Sequence, residues 1–313
     1  MRVLFVVVLT IFIQSPALYA NSNKPRILVI ESYHKEMYWD AAYRSGIESV
    51  LGEQVALHFF EMNTKRLPKS EYPQRAILAI AEIDCVNPEI VILADDNALR
   101  FVGSAVVERN IPLVFLGING NPREYFDGKI PKGVTGVLER PLLKRALRFV
   151  RISQSKWKKV LLLFDNSNTS KIYKESPFFF DGKSQANYLG FEVEIYFSQN
   201  LNELKKKVSS VQGTYDAMFL GGLNTVVDHT GTHVSLSAIT EWIYQESKIP
   251  LFGFWRGSVG FNKSIGGYVV DGKYMGEQAA YLVDRILKGE SPDQIQIQHQ
   301  QGAQLVLSRS SLK

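Results

Sequence analysis

From Arg26 onward, short runs of apolar residues alternate with longer stretches in which apolar positions recur at helical spacing. The runs cover 27–31, 55–60, 90–94, 113–118, 160–164, 191–197, 217–220 and 251–254, and are rich in Val, Ile, Leu and Phe. Runs of that kind suit strands buried on both faces, as a parallel sheet requires. Between them the spacing predicts helices over 38–52, 71–86, 97–109, 141–152, 170–188, 201–211, 235–247 and 273–288. Strand followed by helix, repeated in this way, is the doubly wound α/β pattern.

The repetition breaks after the fourth run. Asn119-Gly120-Asn121-Pro122 opens a Gly- and Pro-containing stretch that ends in an extended segment at 133–137, and a second strand–helix series starts at Lys159. Two further extended segments, 266–271 and 304–307, flank the last helix. We read two doubly wound lobes joined by a three-segment hinge: 21–138 with 272–295, and 139–271 with 296–313. In open α/β sheets ligands bind outside the carboxyl ends of the strands, so the cleft belongs there.

The first twenty residues stand apart. Arg2 precedes an apolar run over 3–13, followed by Gln14, Ser15 and Pro16, with Ala17 and Ala20 as small residues for cleavage. These are the regions of a secretory leader, and the apolar run falls short of the roughly 20 residues that span a bilayer. No Cys follows it, since Cys85 is the one cysteine of the chain, so neither a lipid anchor at that point nor an intramolecular disulfide is expected. Cys85 itself, in a helical pattern with Ile80, Ile83 and Val86, reads as a buried filler. The expected location is periplasmic.

Composition changes this picture little. With 313 residues, 45% hydrophobic and 21% charged, the chain has globular proportions and the length of about two domains. Lys and Arg (36) exceed Asp and Glu (31), but they are scattered, and Lys205-Lys206-Lys207 reads as a solvated helix face, so no nucleic-acid partner is expected.

The opening Ile27-Leu28-Val29-Ile30-Glu31-Ser32-Tyr33-His34 and the crossing Val134-Thr135-Gly136-Val137 are the first of several family-like stretches. The run over 160–165 leading into Asn166-Ser167-Asn168-Thr169, and Gly266-Gly267-Tyr268 with Gly276-Glu277-Gln278-Ala279-Ala280, follow in the same order. Together these resemble the ABC-transporter substrate-binding family, over nearly the whole chain after the leader. The resemblance implies the type I periplasmic binding protein fold, a small-molecule ligand and an ABC permease as partner. Ser32-Tyr33-His34 is also similar to periplasmic input domains of sensor kinases and diguanylate cyclases, which implies a transmembrane sensor as the alternative partner.

The loops after strands supply the candidate ligand-binding groups: Tyr33, His34, Trp39, Asp95, Asp96, Asn97, Asn119, Asn166, Asn168, Thr169, Asn224, Trp255, Arg256 and Asp271. Directed polar groups mixed with rings suit a small polar ligand with an apolar part. Asp95 or Asp96 facing an ammonium and Arg256 facing a carboxylate would select a zwitterion such as an amino acid. Each group also has a structural reading: Asp95 and Asn97 as helix caps, Asn166 to Thr169 as a helix start, Arg256 and Asp271 as an ion pair, and the rings as lobe core.

Enzyme chemistry finds less support. His229 and His233 lie four apart beside Asp228, but Gly231 between them makes the stretch a loop, and the sequence offers no third zinc ligand. A metal-dependent hydrolase using this loop stays a minor alternative. Neither a Gly-x-Ser-x-Gly elbow nor a phosphate loop occurs. No cofactor is expected, and the protein should be a monomer and not an enzyme.

Overall fold

The computed structural model describes residues 24–139, 142–176, 179–299 and 303–308; the leader and the side chain of Asn168 lie outside the described residues. The first series runs β1 (Arg26–Glu31), α1 (Tyr38–Leu51), β2 (Ala56–Glu61), α2 (Tyr72–Val86), β3 (Ile90–Ala94), α3 (Asp95–Glu108), β4 (Leu113–Ile118) and β5 (Val134–Leu138). The second runs α4 (Leu143–Ser153), β6 (Lys159–Phe164), α5 (Asn168–Glu175), β7 (Gln185–Tyr188), β8 (Phe191–Phe197), α6 (Leu201–Ser209), β9 (Ala217–Leu220), α7 (Leu236–Glu246), β10 (Leu251–Gly253) and β11 (Gly266–Val270). The chain then closes with α8 (Gly272–Leu287), β12 (Gln298–His299) and β13 (Ala303–Leu307).

Two sheets result, one per lobe. The first has the order β12-β5-β4-β3-β1-β2 with parallel pairing throughout; the second is β13-β11-β10-β9-β6-β8-β7, parallel except for the two edges. Each sheet is covered on both faces by separate apolar clusters, which is why its central strands read as unbroken apolar runs.

The chain passes between the sheets three times: after β5, after β11 and after β12. Gln298–His299 pairs with β5 in the first sheet, so the last passage falls beyond 299 rather than at 296. The return of α8 to the first lobe depends on two glycines. A Cβ on Gly46 of α1 would stand 2.0 Å from the carbonyl oxygen of Lys273, and one on Gly276 of α8 would stand 2.1 Å from that of Tyr43. Only hydrogen at both positions lets these backbones approach so closely.

Residues 170–188, expected as one helix, divide into α5 and β7. Ser176 precedes Pro177 and is extended at φ −62°, ψ 123°, because the proline ring disfavours helical backbone in the residue before it. The following β7–β8 hairpin turns through Leu189 and Gly190, both at positive φ (51° and 78°), the arrangement that matches the twist of paired strands. Cys85 is exposed rather than a buried filler: α2 turns Ala76, Ala79 and Ile83 inward and Cys85 to solvent.

Candidate functional site

Loops at the carboxyl ends of β1, β3, β4, β5, β6, β9 and β10 converge between the lobes around a chamber of about 420 Å³. Tyr33, His34, Trp39, Asp95, Asn119, Thr169, Asn224, Trp255 and Arg256 of the expected set line it. Asp96, Asn97 and Asn166 line a second chamber beside it, also about 420 Å³, and Tyr33 and Thr169 border both. Asp271 lines neither. It caps α8 by accepting from the backbone N–H of Lys273 at 2.9 Å, and the ion pair with Arg256 does not form; Arg256 instead donates to the carbonyl of Val259 at 3.4 Å.

Asp95 is the best-held group of the first chamber. It is the first residue of α3, at φ +68°, a conformation that Asp and Asn tolerate better than most residues. Neither it nor Asn97 caps that helix. The cap is borrowed from the residue after β1: the Ser32 hydroxyl accepts from the N–H of Ala98 at 2.8 Å and donates to the carbonyl of Ala94 at 2.7 Å. That leaves the Asp95 carboxylate to receive the indole N–H of Trp39, at 3.2 and 3.1 Å from its two oxygens. Asp95 is 2% exposed, and burial, with Asp40, Glu139 and Asp96 nearby, holds its carboxyl well above the usual carboxylate range. Asp40, also buried, is raised for the same first reason; its Oδ1 takes the hydroxyl of Tyr43 and its Oδ2 has no hydrogen-bond partner.

Asp96 does a different job. Its carboxylate accepts from the N–H groups of Asn119 (3.2 Å) and Gly120 (2.9 Å) and from the Tyr125 hydroxyl (2.7 Å), fixing the loop after β4. Asp165 has the matching role in the second lobe, accepting from the N–H of Ser167 at 3.1 Å, the Ser170 hydroxyl at 2.6 Å and the N–H of Thr225 at 2.9 Å. Asn97 donates its amide to the Thr64 hydroxyl at 2.9 Å, and Ser167 caps α5.

Several lining groups escape sequence reasoning, Glu139 and Lys65 among them. Glu139, just after β5 and 2% exposed, accepts the indole N–H of Trp255 at 3.0 Å and the Asn119 amide at 3.3 Å, so it ties the two lobes at the hinge. A lone Glu after an apolar run gives no sign of this. Lys65 borders both chambers with its ammonium 4.6 Å from the centroid of the Tyr33 ring; it sits in a polar stretch that reads as solvated. Trp255 is both wall and core, since it also packs against Phe164, Tyr173 and Phe254. His34 is depressed below the ordinary imidazole range by burial and by the neighbouring Arg66, so it stands neutral at pH 7.

The His229–His233 segment is a loop wound on Asp228, which accepts from Thr230 and Thr232. The His233 ring bonds the carbonyl of Asn224 at 2.8 Å, and among the described residues no three metal-ligating side chains gather. No described helix is long and apolar enough to cross a membrane.

Such an arrangement, with groups from both lobes turned toward one enclosed space, can hold a small molecule. Known structures share the fold. They include an ABC domain in complex with L-Trp from Streptococcus pneumoniae (16% identity, 91% of this chain and 92% of that one, TM-score 0.64). They also include CD0873, a substrate-binding protein with adhesive properties from Clostridium difficile in a ligand-free, open state (15%, 92% and 93%, 0.61), and an ABC sugar transporter subunit from Rhodobacter sphaeroides (13%, 91% and 98%, 0.59). No curated protein sequence matches the chain. The model of the ABC transporter substrate-binding protein family matches residues 69–313, and with sheets and cleft arranged as above the chain belongs to that family, as a solute-binding protein with the type I periplasmic binding fold.

Proposed function

We propose that the first chamber captures an amino acid with an apolar or aromatic side chain and that the protein delivers it, outside the cytoplasm, to an ABC permease. The observation that carries this reading is the Asp95 carboxylate, buried against the Trp39 indole and directed into a chamber that Trp255 borders from the other lobe. Burial and the neighbouring acids disfavour the charged form of Asp95, with Lys65 opposing them, and a ligand ammonium would favour that carboxylate further by opposite charge. Arg256, also on the chamber wall, is the group for the ligand carboxylate, and the indoles supply walls for its apolar part. The L-Trp complex of a protein with this fold is consistent with such an occupant.

Ser32-Tyr33-His34, which suggested a sensor partner, is accounted for locally: Ser32 caps α3, and Tyr33 and His34 line the cleft. No separate observation favours the sensor. The test is calorimetric titration with the twenty amino acids of the wild type and of Asp95→Asn, a replacement that suits the positive φ and still accepts from Trp39. One or a few amino acids should bind the wild type at 1:1 and bind the variant about 30-fold more weakly or worse. Equal binding by the variant, or no amino acid bound, refutes the reading.

A further inference from the structure

Lys and Arg are scattered over the chain as a whole, yet every charged residue between Glu139 and Asp165 is one or the other. The fold puts much of that stretch on one surface. In α4 the apolar residues Leu143, Ala146, Leu147 and Val150 face the second sheet, so the helical period turns Lys144, Arg145, Arg148 and Ile152 outward together. All four are exposed, as is Lys156 just beyond the helix, and none of these cations forms an ion pair among the described residues. Two acids from neighbouring strands are engaged elsewhere. Glu192 pairs with Lys159 at 2.8 Å, and Asp216 accepts from the backbone N–H groups of Lys158 and Lys159 at 2.6 and 2.8 Å.

An apolar group stands among the unpaired cations. Ile152 is 80% exposed, more than any other large apolar side chain of the described residues, and follows Arg148 by one helical turn. Arg151 fixes a second apolar residue at the same end of the helix. Its guanidinium lies 3.7 Å from the centroid of the Phe191 ring and donates to the carbonyls of Leu189 (3.0 Å), Ser155 (2.9 Å) and Trp157 (2.7 Å), which pins the β7–β8 turn to the end of α4. Leu189, in that turn, is 51% exposed. A second copy of the chain is a poor occupant for this surface, because a two-fold contact would set the same cations against each other. What fits is a surface that is negative outside and apolar just beneath, as a bilayer carrying anionic phospholipid is.

We propose that the outer face of α4 rests on a membrane surface containing anionic phospholipid. Lys144, Arg145, Arg148 and Lys156 lie against the headgroups, and Ile152 and Leu189 enter the interface. The end of α4 is tied to Trp157, next to the amino end of β6, whereas the chambers lie at the carboxyl ends of the strands, so contact here leaves the cleft free. The contact does not depend on which ligand the cleft holds.

The chain recovered from the periplasm of an expressing host is tested by co-sedimentation with vesicles of equimolar phosphatidylglycerol and phosphatidylcholine, against vesicles of phosphatidylcholine alone. The variants are Arg145→Glu/Arg148→Glu, Ile152→Ser and, with the same change of charge in the first lobe, Lys129→Glu/Lys132→Glu at two exposed lysines. Wild type and the first-lobe variant should bind the anionic vesicles and not the neutral ones, and salt should release both by screening. Arg145→Glu/Arg148→Glu should bind about tenfold more weakly or worse and Ile152→Ser about threefold more weakly, each melting like wild type. No preference for the anionic vesicles, equal weakening in the first-lobe variant, or wild-type binding by Ile152→Ser would each overturn the proposal. Capture by soluble poly-L-glutamate without a preference for anionic vesicles would assign the face to an acidic protein instead, and would overturn it too.

Discussion

Asp95 carries an unusual load for one residue. It follows a fully buried strand, starts a helix at φ +68° and keeps its carboxylate inside the cleft beside an indole N–H. Its titration should therefore report on binding. The folded-state pKa values of Asp95 and Asp40 are raised, so both hold their protons more tightly folded than unfolded. The stability they add is full below the unfolded carboxylate value, about 4, and is lost as pH rises toward the folded values. A ligand ammonium acts oppositely, favouring the Asp95 carboxylate and lowering its pKa. Affinity should then climb over the same pH window in which these groups reduce ligand-free stability, and binding should release protons. Calorimetry in two buffers of different ionisation enthalpy measures that release; proton uptake, or affinity that falls as pH rises over this window, would contradict the role given to Asp95. Asp95 and Trp39 could be found in the sequence because strand-end loops must face the cleft. Glu139 and Lys65 could not, because a single polar residue in a loop looks the same whether it meets solvent or a partner lobe.

At the scale of elements, the parallel strands were legible almost to the residue, since a strand buried on both faces must be apolar throughout. β3, β4 and β9 match their apolar runs at both ends, and β8, whose bounds also match, instead alternates buried Phe191, Val193 and Ile195 with Glu192 and Glu194. Edge elements were not. The amphipathic spacing around Ile172 and Tyr173 suggested a helix reaching Tyr188, yet Pro177 and the turn at Leu189-Gly190 end it and start a hairpin. Cys85 misled for a related reason: helical periodicity in α2 is loose, with Ile77 and Leu78 also exposed, so pattern alone does not settle which face is inward. The α1–α8 contact is the element on which lobe assembly depends. Gly276→Ala would gain helix propensity worth about 1 kcal/mol but must push the α1 and α8 backbones apart, at a cost of roughly 1–3 kcal/mol or more. We expect a net loss of stability in chemical denaturation. An unchanged or raised midpoint would show that the helices are not held this closely in solution.

For the whole molecule, the order of strands explains how one chain makes two grips. The first series builds one sheet, the second builds the other, and α8 with β12 returns to the first before β13 adds an edge to the second. Three passages between lobes permit a hinge motion while resisting twist, and Trp255–Glu139 spans the junction without filling the cleft. On the proposed reading, a ligand touching Asp95 on one side and Arg256 on the other would satisfy both only when the lobes are together, so binding would select the closed arrangement. Small-angle X-ray scattering of the purified protein, alone and saturated with the amino acid that binds most tightly, tests this directly. The radius of gyration should fall on saturation; superimposable curves with the ligand bound would contradict capture by closure of the two lobes.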